Sequence, residues 1–332
     1  MRKTIFTTAL LSLAFVSCSD SDNDSKKEFK LFTTSNTTGK VSVTDMSMAT
    51  PITYSFSVAS MDADGAFYFN DTDELILASR TNNKVELYDG VKTAISNNAT
   101  SLSLGFSSTS DFNNAREIAV SGDKVVVTQD QNEANGNTNK LIVYQKTATG
   151  FTLLNSYTVN FKTWGIHLDG NTLYAVADLT ADLVVFDNFF ANTNGAITPT
   201  KRVAIEGLVR THGITYLSKD DTMVLTDVGS AASDSDGGVI VIKNFKSTLM
   251  STSNMGTIAM NKQLRIYGSA TMLGNPVDVA YDSQTKKIYV AERLFGGGKV
   301  VVFDMPSSAV VNVAPVTSRD EAGVSSVYLL RK

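Results

Sequence analysis

Leu173-Tyr-Ala-Val-Ala-Asp178, a turn, then Leu183-Val-Val-Phe-Asp187: this stretch decides the reading of the chain. It consists of two short apolar strands, each ending in an acid. The phrase returns as Leu75-Ile-Leu-Ala-Ser-Arg80 with Val85-Glu-Leu-Tyr-Asp89, and as Ile288-Tyr-Val-Ala-Glu292 with Val300-Val-Val-Phe-Asp304. A unit this small cannot bury its apolar faces alone. Its recurrence at roughly 45–50 residues therefore points to radial four-stranded blades packed in a ring, an all-β propeller.

Working outward, the innermost strand of each blade is marked by a Gly or an acid followed by apolar alternation. Such strands are expected at Ala66-Phe-Tyr-Phe69, Glu117-Ile-Ala-Val120, Gly165-Ile-His-Leu168, Gly213-Ile-Thr-Tyr216 and Asp278-Val-Ala-Tyr281, at intervals of 51, 48, 48 and 65 residues. The long interval holds the polar run 229–238 and a Met- and Ser-rich stretch at 249–260, both read as loops. Lys30–Asn36 and Lys40–Asp45 match second and third strands with no inner strand before them, and Val324–Leu330 is a strand with nothing after it. Placing the last strand inside the first blade closes the ring and removes two exposed sheet edges. The expected fold is thus a six-bladed propeller over residues 29–332, with seven blades as the alternative if 217–275 hides one. Asn82-Asn83, Gly122-Asp123, Asp169-Gly170-Asn171, Lys219-Asp220-Asp221 and Ser283-Gln284 stand where hairpins need residues tolerant of positive φ. No helical stripe runs three turns beyond the first residues.

Met1–Cys18 has a basic start, an apolar middle and a small residue before the cysteine, the layout of an export signal too short to make a stable membrane span. Phe15-Val-Ser-Cys18 resembles the lipobox of bacterial lipoproteins, with Phe15 replacing the usual Leu. That resemblance implies a signal peptide at 1–17, lipidation of Cys18 and a membrane partner through the lipid. The acidic run Ser19–Ser25 cannot build a core, so 18–28 reads as a tether. It is similar to the acidic export tag of surface lipoproteins in Bacteroidota, implying an outer-membrane protein exposed at the cell surface, or else facing the periplasm. Without residues 1–17, 27 basic residues face 33 acidic ones. No basic stripe suggests nucleic acid. Cys18 is the sole cysteine, so no disulfide framework is available and burial must supply the stability.

Asn275-Pro-Val-Asp-Val-Ala-Tyr-Asp-Ser-Gln-Thr-Lys-Lys-Ile-Tyr-Val-Ala-Glu292 resembles the NHL-type repeat of six-bladed, TolB-like propellers, and Arg210–Tyr216 and Lys162–Leu168 match its first half more loosely. These motifs specify blade geometry, not activity.

Lining up the repeats places Arg116, Trp164, His212 and Val277 in one tier at the channel mouth, with Glu117, Gly165, Gly213 and Asp278 in the next. Convergent charged and aromatic groups from separate blades make a polar pocket. The candidate ligand-binding residues are Arg116, Glu117, Trp164, His212 and Asp278: Arg116 to pair an anion, Trp164 to stack on a planar or sugar face, His212 to hydrogen-bond. Asn36, Arg80, Asp130, Asp178, Asp227 and Glu292 end second strands, where acids commonly fix the hairpin. His167, between Ile166 and Leu168, reads as a satisfied buried histidine.

Six-bladed metal-dependent lactonases resemble this fold and hold a divalent ion on a Glu, an Asn and an Asp. Glu117 matches the Glu, but His212 and Val277 occupy the Asn and Asp positions, and Asp278 lies one residue late. No nucleophile elbow, His-x-x-x-His spacing or phosphate loop is present. Asp62-Ala-Asp-Gly65 and Asp234-Ser-Asp-Gly237 are fragments of a calcium loop without its downstream Glu. No catalytic residue, metal or cofactor is assigned. The sequence reading is a non-catalytic module binding an unidentified small molecule, glycan or protein through the mouth and the loops 130–139, 229–238 and 294–298. A lactonase-type hydrolase is the alternative.

Overall fold

Six antiparallel sheets stand in a ring, each with its innermost strand at the channel. The computed structural model describes residues 28–332; the signal peptide expected at 1–17, Cys18 and the expected tether up to residue 27 lie outside the described residues. Blade I consists, from the channel outward, of Val324–Arg331, Phe29–Ser35, Lys40–Asp45 and Ile52–Ser57. Blade II is Ala63–Phe69, Glu74–Ser79, Lys84–Asp89 and Ser103–Ser107, and blade III is Ala115–Ser121, Lys124–Gln129, Asn139–Lys146 and Phe151–Val159. Blade IV is Thr163–Asp169, Thr172–Ala177, Asp182–Phe186 and Lys201–Ile205. Blade V is Thr211–Leu217, Thr222–Asp227, Gly238–Lys243 and Leu264–Tyr267, and blade VI is Pro276–Asp282, Lys287–Glu292, Lys299–Asp304 and Thr317–Asp320.

The closure is as the sequence predicts. Phe29 to Thr34 pair antiparallel with Arg331 to Ser326, so the last strand completes the first blade. Apolar side chains gather in six clusters, one in each seam between neighbouring blades. This follows from strand geometry: alternate residues face the blade on either side, so strands buried on both faces are apolar throughout. Leu75, Ile76, Leu77 and Ala78 are all inaccessible to solvent.

The 217–275 interval hides no blade. It carries the three outer strands of blade V, a helix at Phe245–Ser251 and the short strand Thr257–Ile258, which pairs parallel with the outermost strand of blade IV. The 249–260 stretch is therefore more ordered than the loop expected from its composition. Phe245 and Leu249 explain why, since both are buried in the seam between blades IV and V. A second helix, Val91–Ser96, seats Val91 and Ala94 against blades I and II. Of the expected turns, Asn83, Gly122, Gly170 and Asp221 take positive φ, but the turn at Ser283-Gln284 places it on Lys286.

Five of the six inner strands also start earlier than their apolar alternation suggests. Between Asp64 and Ala66, Ala115 and Ile118, Thr163 and Ile166, Thr211 and Ile214, and Pro276 and Asp278 the register slips by a bulge. A bulge bends the strand and re-aims the side chains beside it. Here it turns the mouth tier toward the axis.

Candidate functional site at the channel mouth

The bulged tier is crowded because adjacent inner strands almost touch. A Cβ on Gly213 would lie 2.7 Å from the Cα of Asp278, and one on Gly65, whose φ is +70°, would lie 2.5 Å from the amide nitrogen of Ile118. Glycine is the residue that permits such an approach. In blades III and VI the same tier carries Glu117 and Asp278, which accept backbone amides. Glu117 Oε1 accepts from the amide of Ile118 at 2.8 Å. Asp278 accepts from Val279 at 2.7 Å and, across the seam, from Val327 of the closing strand at 2.7 Å.

Both carboxyls are buried. Desolvation, with their mutual repulsion, holds Glu117 well above the usual carboxylate range, while desolvation raises Asp278 to about 7. Below them a cavity of about 250 Å³ continues the channel, lined by inner-strand residues that include His167 and Tyr328. His167 is thus a half-buried channel residue, its ring edge-on to Tyr216 at 6.3 Å, and not the fully buried, satisfied histidine the sequence suggests. Burial pushes it down to about 4.

One prediction arises from the buried acids. A carboxyl raised on folding contributes stability that is complete at low pH and fades as pH rises through its folded value. Glu117→Gln keeps the acceptor for Ile118 but removes the charge. It is expected to stabilise the protein at pH 8, where the buried charge is disfavoured, and to leave it unchanged at pH 4. Urea denaturation at the two pH values checks this, and an unchanged or lower stability at pH 8 refutes it.

Above this tier, three residues from consecutive blades form a column. The indole of Trp164 stacks on the imidazole of His212 with centroids 3.6 Å apart and planes 3° from parallel. The guanidinium of Arg116 lies 4.1 Å from the Trp164 ring centroid. Because Arg116 and His212 come from the blades on either side of Trp164, the indole is clasped between them. A desolvated cation–π contact contributes about 2 kcal/mol.

Carboxylates behind the column hold it. Arg116 Nη2 donates to Asp130 at 3.1 Å, and Arg210 grips both oxygens of Asp178 at 2.6 and 3.1 Å. Lys162 sits 3.7 Å from each of Asp130 and Asp178. His212 Nε2 lies 3.1 Å from Asp178 Oδ1. Burial holds His212 down at about 4, against the pull of Asp178, so the ring is neutral with its proton on Nε2. Its Nδ1 is a buried acceptor without a partner. Hydrogen bonds from His212 and Arg210 overcome desolvation and hold Asp178 far below the usual carboxylate range.

On the other side of the mouth, Asn36 Nδ2 donates to Asp62 at 2.7 Å and Asp64 at 3.0 Å, while Arg80 reaches Asp62 at 3.2 Å and Asn114 at 3.0 Å. Desolvation raises Asp64 to about 6, even beside Arg80 and Arg116.

Of the five candidate residues, the structure brings Arg116, Trp164 and His212 into direct contact and sets Glu117 and Asp278 one layer below. Val277 is buried in the seam of blades VI and I. With Val277 apolar, His212 committed to Asp178 and Asp278 committed to strand amides, these residues do not fit the lactonase metal set. Asp227 and Glu292 do fix local backbone: Glu292 accepts amides from Gly274, Asn275, Leu294 and Phe295. Asp130 and Asp178 bind the column, Asp178 also accepting the Leu179 amide at 2.7 Å. Sequence reasoning missed Asp62, Asp64, Lys162 and Arg210 as mouth residues. Asp64 has the position of Arg116 in its own repeat, a signal obscured by reading Asp62–Gly65 as a calcium-loop fragment.

The class defined by this geometry is a six-bladed β-propeller with an ion-paired, aromatic mouth. No protein-family model matches the chain, and no curated protein matches it. Among solved structures it is similar to a chain of a nidogen/laminin complex (TM-score 0.62, 11% identity, 91% of this chain and 98% of that one). It is also similar to a protein of unknown function from Bacteroides caccae (TM-score 0.58, 8% identity, 92% and 100%). A third similarity is to hydrazine synthase of Kuenenia stuttgartiensis (TM-score 0.52, 14% identity, 80% and 71%). At these identities the likeness shows the fold alone.

Proposed function

We propose that this chain is a non-catalytic binding module, an NHL-like propeller lipidated at Cys18 and displayed on an outer membrane, which engages a protein partner through the mouth face. The observation that carries the reading is the Arg116–Trp164–His212 column. The two faces of its aromatic centre are already covered by Arg116 and His212, and the cations Arg116 and Arg210 are each matched by a buried carboxylate, Asp130 and Asp178. Such a mouth offers a rigid polar surface, with the indole edge and the Arg116 head available to a partner resting on it. Aromatic and arginine residues of this kind are the usual anchors of protein interfaces.

Direction supports the reading too. Phe29 begins a second strand, and second strands run toward the mouth, so the described chain enters at the opposite end. A tether of eleven residues from Cys18 spans at most roughly 40 Å and would leave the mouth pointing away from the lipid. The loops 130–139, 229–238 and 294–298 follow second strands and so surround that outward face. Among the described residues no helix is long and apolar enough to cross a membrane.

The test is site-directed photo-crosslinking on whole cells, with the crosslinker at Ser235 on the mouth face and at Thr149 on the opposite face. A discrete adduct from Ser235 alone, lost in an Arg116→Ala/Trp164→Ala double variant, is the expected result. Equal adducts from both positions, or capture indifferent to the double variant, removes the mouth from the mechanism. Cys18→Ser should release the protein from the membrane fraction.

A further inference from the structure

The cavity of about 250 Å³ under the acid tier narrows toward the mouth and opens away from it. At the mouth end neighbouring strands leave no room even for a Cβ: one on Gly165 would lie 2.2 Å from the carbonyl oxygen of His212. The lining residues just below that tier, Ile118, Ile166 and Ile214, are buried. Phe67, His167 and Tyr328, further along their strands, also line the cavity but are only half-buried. Exposure rises toward the face opposite the mouth, so access is from that side.

The walls form opposed pairs, because a ring of six sets blade I across from IV, II across from V and III across from VI. Glu117 and Asp278 therefore face each other across the axis, with Gly65, Gly165 and Gly213 at the same tier in blades II, IV and V. Two residues further along, the tier reads Tyr328, Phe67, Ala119, His167, Thr215 and Ala280 from blade I to blade VI, and all six line the cavity. An alanine thus stands beneath each acid. The rings of Phe67 and Tyr328, 4.7 Å apart, make one side of a slot, and His167 with Thr215 makes the other. Asp278 commits both carboxylate oxygens to amides, but Glu117 commits only Oε1. Its Oε2 takes no hydrogen bond from the described residues, although Glu117 is only 8% exposed. No lysine or arginine lines the cavity, whereas Asp130 and Asp178 at the mouth each have a cation. Burial and the charge of Asp278 hold Glu117 well above the usual carboxylate range, the condition of a buried acid without a countercharge.

We propose that this channel binds a small primary amine with a flat apolar body, which enters opposite the mouth, sets its ammonium between Glu117 and Asp278 and lays its body in the slot over the two alanines. Each feature of the ligand answers one feature of the cavity. The ammonium supplies the countercharge that no lining residue provides, and its N–H groups give Glu117 Oε2 the donor it lacks. Hydrogen bonds between ionised partners are roughly twice as strong as neutral ones. Apolar and aromatic walls with a few placed polar groups are the usual form of a small-molecule site, and the ring pair of Phe67 and Tyr328 favours a flat body. A carboxylate ligand is repelled by both acids, and a neutral one leaves them without a countercharge. The site does not rest on the protein-binding role of the mouth, so the failure of either leaves the other standing.

The test is isothermal titration calorimetry of the whole protein at neutral pH with phenethylamine, its neutral analogue phenethyl alcohol and the anion phenylacetate. The expected result is saturable binding of phenethylamine, about tenfold or more tighter than that of the alcohol, and no binding of phenylacetate. Glu117→Gln and Thr215→Phe should each weaken the amine about tenfold. The first keeps the acceptor for Ile118 and removes the charge, and the second fills the slot from a half-buried position. Circular dichroism checks that both variants fold, and should Thr215→Phe fail to do so, Glu117→Gln decides alone. No saturable binding of the amine, equal affinity for the alcohol, or a folded variant that binds the amine as tightly as the parent does overturns the proposal. So does displacement of the amine by calcium chloride at one ion per chain, which would assign the two acids to a metal ion.

Discussion

A chain ending at Gly323 is expected not to fold into a stable ring. Truncation there removes the inner strand of blade I, with its ladder to Phe29–Ser35 and the buried side chains of Val324, Val327 and Leu330. Fully burying a side chain of that size contributes about 1.5–3 kcal/mol, and three such losses exceed half of a typical domain's net stability. The damage also crosses the seams. Asp278 loses the Val327 amide, Thr34 and the Ala63 carbonyl lose the Ser325 hydroxyl, and Phe32 and Phe67 lose Tyr328. Two apolar clusters are then open to water beside an unpaired strand edge, the arrangement that invites aggregation. The expected observation is insoluble or molten protein without a cooperative thermal transition. A truncated chain melting cooperatively within a few degrees of the parent would show that the ring does not need its closing strand. A milder variant, Val327→Asp, places a carboxylate in the same seam close to Asp278 and should cost several kcal/mol.

The second large effect is expected at Asp178. Its side chain is inaccessible to solvent and serves Arg210, His212 and Lys162 together. Asp178→Ala leaves Arg210 without its bidentate partner and His212 without its acceptor. Breaking a buried pair from one side typically costs about 3–5 kcal/mol, most of it the desolvation of the group left behind.

The chain supplies its own reporter, because Trp164 is the sole tryptophan and its ring lies against His212. In the parent protein, indole emission should stay flat from pH 8 to pH 6 and change near pH 4, where the buried imidazole takes up a proton. A histidine lowered on folding binds fewer protons in the folded than in the unfolded chain between about pH 4 and pH 6.5. Its contribution therefore favours folding above that window and is lost as pH falls through it. Asp178 raises the histidine, so Asp178→Ala should move the emission change below pH 4 while lowering the unfolding midpoint. An emission change near pH 6.5 in the parent would mean that His212 is solvated and the column is not assembled.

How much of this was legible beforehand varies residue by residue. The inner strands could be found because their apolar alternation recurs at nearly constant spacing, and the closing strand because Val324–Leu330 had no partners left in order. The helix at Phe245–Ser251 and the paired residues Thr257-Ile258 could not. Both are held by contacts to blade IV, and a seven-residue helix has little intrinsic stability to betray it in the sequence. At the mouth, Arg116, Trp164 and His212 stood out because they break the repeat. Lys162 and Arg210 did not, since their roles depend on Asp130 and Asp178, acids that hairpin chemistry already accounted for. Asp64 was hidden by the bulge, which displaces the functional tier from the apolar alternation used to locate the strand.

What the order of residues determined was the wedge: strand length, apolar faces and the count of repeats are local properties, written in each segment's own periodicity. What only the assembled ring decided was which side chains meet. Arg116, Trp164 and His212 are separated by 48 residues at each step, and nothing local makes an indole stack on an imidazole. The ring brings them together because inner strands of neighbouring blades approach until only glycine fits between them, and the bulge then aims the adjoining residues at one axis. The groove of about 690 Å³ between blades VI and I has the same origin: no segment encodes it, and it exists because residues 46–51 are too short a connection to cover the blade before them.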